Sequence, residues 1–422
     1  MQSACGRRAR DGEAMIIRAG AVVTMDGPPL VGGVVRVEGE RIIAIGQSVS
    51  ADDEIIELRD HILLPGLINA HCHLDYTILR GEIAPQNSFT DWIRAINAAK
   101  ARLTPDDYVQ SIDAGFGEAL RFGTTSLVNF EAFPELVAGC AGTPLRTWWC
   151  AELIDVNAAG EAERMVVAAV REFAAGMPRK ARWKRALPGE GAFGLAPHAL
   201  FTASPELYRE CGKIASANDW ILTTHLAESA EEMEMFADGS GRLFDFLKSL
   251  GRDMSDCGGL TPLARFLQNA GGKNWILAHV NELDAGDLVL LAQHRAQLSL
   301  AHCPRSHAYF RHRPFAFEKL RDVNICLATD SLASNDDLSL LAEVRAFRKL
   351  HLQVSAAAVL ETITINPARA LGAADQLGRI RVGFAADMIA LPMNGSADVY
   401  EQIAEFDGEI PWVMIRGKVA VG

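Results

Sequence analysis

Two histidines one residue apart, His71 and His73, close an apolar run that reads LPGLINAHCH. On a strand, residues i and i+2 face the same side, so both imidazoles can point to one place while Cys72 points away. That arrangement can chelate a metal. It also describes two hydrogen-bonded histidines at the end of a core strand, and the motif alone leaves both readings open. The later runs separate them. His225 ends WILTTHL with Glu228 three residues on, His279 ends WILAH, and Asp330 ends NICLATD. Imidazoles with one carboxylate suit Zn²⁺ or Fe²⁺ and leave a coordination position for water. Several such groups converging on one rim favour one divalent metal ion over a set of unrelated structural histidines.

Something must bring these groups together from more than 250 residues of chain. Short apolar runs recur in order: LLPGLINAHCH, TTSLVNF, LRTWWCAEL, FGLAPHA, WILTTHL, WILAHV, LSLAHCP and NICLATD. Between them lie helix-forming stretches such as 205–219 and 338–351, with periodic apolar positions. Eight strands alternating with helices predict an α/β fold, a (β/α)8 barrel whose functional groups sit at the C-terminal strand ends. The runs end in His71/His73, Asn129, Glu152, His198, His225, His279, His302 and Asp330. Both chain ends differ from this middle. MIIRAGAVVTM, VVRVEGERIIAIG and EIIEL near the start, and GRIRVGFAADMIALP and PWVMIRGKVAVG near the end, are rich in Val and Ile and cut by Gly and Pro, as short strands are.

The 422 residues are 49% hydrophobic and 22% charged, with a formal net charge of −12. This composition supports a large core. The acidic balance argues against nonspecific nucleic-acid or anionic-membrane binding, both of which need a basic face. No apolar stretch reaches membrane-spanning length. Eight cysteines are scattered without a C-x-x-C pair, which predicts reduced thiols and a cytoplasmic location. Residues 1–14 carry arginines but no apolar segment follows, so a disordered extension is expected there rather than a leader.

In order and combination, PGLINAHCH (65–73), APHALFTAS (196–204), THLAES (224–229), LAHVNEL (277–283), HCPRSH (302–307), TDSLASNDDLSL (329–340), NPARALG (366–372) and GRIRVGFAADMIAL (378–391) resemble the amidohydrolase superfamily, in its deaminase branch with a single metal. The resemblance covers nearly everything from Met15 onward. It implies a barrel over 65–370, beside a small composite β-sandwich built from 15–64 and 371–422. It implies that His71, His73, His225 and Asp330 are the metal ligands, that Glu228 shuttles protons, and that His279 contacts the water and the substrate. His198 and Trp92 fall where relatives line the substrate pocket. A homodimer is a further family expectation. Members with two metals bridge them with a modified lysine at the end of the fourth strand. Here that strand ends in APHAL, with Lys180 and Lys184 well upstream, which favours one metal.

The chemistry implied is hydrolytic deamination of an aminated heterocycle. Water activated by the metal attacks the amino-bearing ring carbon, Glu228 protonates the ring nitrogen and the departing amine, and His279 and Asp330 take the water proton. The segment HCHLDYTILRGEIAPQNSFTDWI is similar to that of enzymes acting on aminodeoxyfutalosine, whose benzoate would give Arg305, Arg311 and Arg313 a bidentate role. Adenosylhomocysteine, methylthioadenosine, guanine and triazines are alternatives, the last with chloride as leaving group. An inactive barrel used as a binding module is the non-enzymatic alternative. GEGAFG (189–194) spells a dinucleotide fingerprint but precedes its strand instead of following one, so it reads as a loop. RKARWKR (179–185) reads as a solvated basic loop.

Overall fold

The computed structural model describes residues 14–48, 53–156, 158, 160–176, 192–395 and 398–422. Lys180, Lys184, the basic run 179–185, most of the expected extension 1–14 and the first half of GEGAFG lie outside these residues.

Eight parallel strands follow one another around a sheet: Leu67–His73, Thr124–Glu131, Arg146–Leu153, Ala192–Pro197, Ile221–Leu226, Trp275–His279, Leu298–His302 and Asn324–Leu327. Each coincides with one of the eight apolar runs. The two-residue extension Asp330–Ser331 pairs in parallel with Cys72 and His73, which returns the sheet to its first strand and closes the barrel. Every residue of the first, second, third, fifth, sixth and seventh strands is buried. Strands covered on both faces, by barrel interior and helices, read as continuous apolar runs rather than alternating ones.

The helices between them start where the sequence supplies caps. Ser88, Thr104, Ser204, Ser229, Thr261, Asp284, Ser339 and Ser355 each accept a hydrogen bond from the backbone N–H three residues on.

The two chain ends form one mixed sheet. Strand Glu54–Pro65 lies parallel to Ala14–Val22 and antiparallel to Met388–Pro392, with Leu64 opposite Ile389. Trp412–Ile415 and Lys418–Val421 extend one side, and Val34–Glu38 and Arg41–Gly46 the other. Ile17, Val35, Leu63, Met388 and Met414 are buried together in its own apolar cluster.

Gly66 alone separates Glu54–Pro65 from the first barrel strand. A Cβ there would lie 2.2 Å from Thr125 Oγ1, so only glycine lets the chain pass this close to the second strand. Beside this junction, Asp387 accepts from Arg146 Nε (2.5 Å) and Nη2 (3.1 Å), from the Arg416 amide (2.8 Å) and, through its carbonyl, from the Gly66 amide (3.0 Å). This buried pair fixes the sheet against the barrel, and with it the start of the strand that carries His71 and His73.

Candidate active site

His71 and His73 end the first barrel strand two residues apart, as strand geometry requires, and both are buried. His73 Nε2 lies 3.1 Å from His225 Nε2, with the two rings nearly parallel, and His71 Nε2 lies 3.5 Å from Asp330 Oδ1. Asp330 Oδ1 is also 3.8 Å from His73 Nε2. Two donor sets arise, each with all its ligand atoms within 4.8 Å: His71, His73 and His225, and His71, His279 and Asp330. The five residues thus meet at one point, from the ends of strands one, five, six and eight.

The donor chemistry fits a divalent ion. Burial and neighbouring histidines hold the His73 and His225 pKa values well below the usual imidazole range, and burial takes His279 down to about 3. All three are neutral and carry a lone pair to offer. His225 Nδ1 lies 2.9 Å from the His198 carbonyl, which makes it the N–H and leaves Nε2 as the acceptor facing His73. Neither ring nitrogen of fully buried His71 has a hydrogen-bond partner among the described residues, the mark of a group whose partner is not protein. Burial by itself would raise the Asp330 pKa, but the His71 ring 3.5 Å away and the nearby His279 and His73 hold it well below the usual carboxylate range. Its Oδ2 accepts from Ser306 Oγ (2.6 Å) and Ser334 Oγ (3.1 Å), so Oδ1 is aimed at the histidines.

Four non-glycine residues around this point have left-handed backbone: Ala227 (φ 50°), His279 (71°), Val280 (51°) and Asp330 (58°). Each costs on the order of 1–2 kcal/mol. Strain of this kind gathered at the ends of strands five, six and eight turns Glu228, His279 and Asp330 inward where a relaxed strand would carry on outward.

Glu228 is buried beside His279, its Oε1 3.7 Å from His279 Nε2. Burial, then the charges of Asp330 and Glu232, push its carboxyl pKa well above the usual range. His198 Nδ1 lies 2.6 Å from Thr202 Oγ1, and its ring is 4.8 Å from that of His225. From His198 an aromatic wall runs through Phe201, Phe89 and Phe310 to Trp92, with ring centroids 4.9–6.2 Å apart. The helix bearing Phe89 and Trp92 is tied to the Glu228 loop. Glu231 accepts from the amides of Phe89 (2.9 Å) and Thr90 (3.1 Å) and from the Thr90 hydroxyl.

The loop arginines do not act as a group. Arg305 is held by Asp337 (2.6 Å) and Asp336 (3.1 Å), with buried Glu343 3.9 Å away, so its fork is occupied by protein carboxylates. Arg311 is exposed, and the 82%-exposed Arg313 reaches only to 4.0 Å from Glu282.

Sequence reasoning left out Glu152, although it ends the third apolar run. Its carboxylate is 3.9 Å from His198 Nε2 and 4.0 Å from His73 Nδ1, and forms a third close donor group with His198 and His225. Its place at a C-terminal strand end was the available signal. Glu131, which ends the second strand, is fully buried close by and offered the same signal, whereas fully buried Asp75 lies past the end of the first strand and did not.

Known proteins agree with this architecture. A 5-methylthioadenosine/S-adenosylhomocysteine deaminase of Thermococcus kodakarensis is 28% identical over 397 residues, covering 90% of this chain and 86% of the relative. The crystal structure of a zinc-bound adenosine deaminase from Xanthomonas campestris superposes with a TM-score of 0.81 at 24% identity, covering 98% and 94% of the two chains. The aminofutalosine deaminase of Helicobacter pylori superposes with a TM-score of 0.85 at 20% identity, covering 96% and 100%. The family model described as "Amidohydrolase family" matches residues 62–420, from the end of strand Glu54–Pro65 through the barrel to the final strand: the chain belongs to the amidohydrolase family.

Proposed function

We propose that this chain is a metal-dependent hydrolytic deaminase of an adenine-type nucleoside, releasing ammonia and leaving a ring carbonyl. The observation that carries the reading is the buried Glu228 carboxyl 3.7 Å from a neutral His279, beside the cluster of imidazoles and Asp330. The name of the Thermococcus relative, a deaminase of thioether-bearing adenosines, supports the substrate class.

His71, His73, His225 and Asp330 would hold one divalent ion, zinc in the first instance. When bound, such an ion supplies Lewis acidity that lowers the pKa of water toward neutrality. The remaining work belongs to the chain. Asp330 and His279, one ionised and one neutral at pH 7, accept the proton of the attacking water. Glu228 protonates the ring nitrogen next to the amino-bearing carbon, and a second proton passed through it lets the amine depart as ammonia. The aromatic wall from Phe201 to Trp92 offers flat apolar surface for a heterocycle. His198, at the end of the fourth strand beside His225, lines the same pocket.

A substrate with a benzoate, as in aminodeoxyfutalosine, receives less support than a neutral or zwitterionic thioether, because Arg305 is already paired to protein acids. The test is ammonia release by metal-analysed protein from methylthioadenosine, adenosylhomocysteine, adenosine, aminodeoxyfutalosine, guanine and an aminotriazine. Turnover of the adenosines supports the reading. Ammonia from aminodeoxyfutalosine alone corrects the substrate and keeps the mechanism. Ammonia only from guanine or the triazine, or halide from a chlorotriazine, overturns it, as does a metal-loaded protein inert to all of them.

A further inference from the structure

The residue that carries the proposed proton shuttle lies on a strained loop, between the fifth barrel strand and helix Ala230–Asp238. Both polar backbone atoms of Ala227 and both of Glu228 are engaged. The Ala227 amide donates to Glu232 Oε1 (3.1 Å) and the Glu228 amide to Glu232 Oε2 (2.8 Å). The Ala227 carbonyl accepts from the amides of Asn281 and Glu282, both at 2.9 Å. The Glu228 carbonyl accepts from Asn281 Nδ2 at 3.0 Å. Asn281 is steadied in turn by His307, whose Nδ1 lies 3.0 Å from Asn281 Oδ1.

Glu232 has been diverted from its ordinary local task. Ser229 caps the helix and accepts from the Glu232 amide at 3.2 Å, which makes Glu232 the third helical residue. In a capping box, a glutamate there turns back to the amide of the cap residue itself. Here it reaches further, with one oxygen on each of two consecutive amides upstream. It is fully buried, so these contacts are not shared with solvent. One of the two amides belongs to Ala227, whose left-handed φ of 50° needs an external hold.

We infer that Glu232 is a positioning residue: its carboxylate, working against Asn281 on the opposite side, clamps the Ala227–Glu228 peptide and so aims the Glu228 carboxyl at the reacting ring. The inference rests on the reading of Glu228 as proton shuttle. A carboxylate suits the task because both of its oxygens accept, whereas an amide of the same shape presents one acceptor and one donor to two donors.

Two measurements on the zinc-loaded full chain test it. Above about pH 8, where Glu232 is ionised, amide exchange at residues 227 and 228 is expected to be about tenfold or more faster in Glu232→Gln, since one of the two hydrogen bonds is replaced by a donor–donor contact. With methylthioadenosine as substrate, kcat is expected to fall about 10²-fold, KM to stay within about threefold, and zinc content to be unchanged. Asn281→Ala, which removes the opposite half of the clamp, is expected to show the same split between kcat and KM, and serves if Glu232→Gln does not fold. Exchange that is unchanged in Glu232→Gln overturns the clamp. Faster exchange with wild-type kcat overturns the positioning role, as does a loss of kcat that only follows loss of zinc. If methylthioadenosine is no substrate at all, the exchange result still judges the clamp, while the substrate assignment fails by itself.

Discussion

His73 and His225 meet nitrogen to nitrogen: their Nε2 atoms are 3.1 Å apart, their ring planes differ by 11°, and the outward Nδ1 of His225 is taken by a backbone carbonyl. The two residues are 152 positions apart in sequence. With His225 Nε2 the acceptor, a proton on His73 Nε2 or a cation must lie between the two nitrogens, and on the proposed reading it is a cation. Chelation is therefore expected to abolish ammonia release and one equivalent of zinc per chain to restore it. His73→Ala is expected to weaken zinc binding by more than the roughly 10–100-fold that loss of an outer partner costs. Metal analysis and zinc titration check both.

Glu228 touches the site without belonging to either of its close His71-centred donor sets. Glu228→Gln should therefore keep its metal and lose about 10²–10⁴-fold in kcat. Metal content measured beside single-turnover rates decides the matter, and undiminished turnover would rule Glu228 out as the shuttle.

Burial raises the Glu232 pKa from an ordinary 4.5 to about 7, against the pull of its two amide donors. A raised folded-state value means that the native protein binds the proton more tightly than the unfolded chain does. The stabilisation is complete below about pH 4.5 and is lost as pH climbs through 7, up to roughly 3 kcal/mol. Glu232→Gln cannot titrate, so its stability relative to wild type should improve by that order between pH 4.5 and 8. Paired melting curves across this range measure the slope; metal-linked terms cancel because both proteins carry the same ligands.

Arg146 and Asp387 are 1% and 4% exposed and join the barrel to the terminal sheet. Removing one partner leaves a buried charge, so Asp387→Ala should cost about 3–5 kcal/mol, whereas replacing both by apolar residues of similar volume should cost far less. Denaturant unfolding of the single and double variants distinguishes the two outcomes.

Because Arg305 is paired to Asp336 and Asp337, with Glu343 close by, Arg305→Ala is expected to lower the melting temperature while leaving the ratio of KM values for carboxylate-bearing and neutral substrates within about twofold. A selective rise in KM for the carboxylate-bearing substrate would return Arg305 to the binding site.

What the sequence determined by itself was everything that depends on local order. The spacing of His71 and His73, the eight apolar runs, each ending in a polar residue, and the serine, threonine and aspartate caps are all short-range patterns, and strands and helices are set at short range. From these follow the barrel, the rim on which its chemistry sits, and the five residues that meet there. The tertiary structure decided what depends on distance between segments. Glu152 was visible as a strand end, but only folding brings it 3.9 Å from His198. Arg305 looked free to bind an anion because its acidic partners lie about 30 residues away, beyond the eighth strand. Glu232 drew no notice, since nothing in the order of residues says that Ala227 turns left-handed and presents its amide to it. Side-chain type and spacing are written along the chain, but whether a charge is paired, and which backbone amide a buried carboxylate finds, depend on packing between elements far apart in sequence.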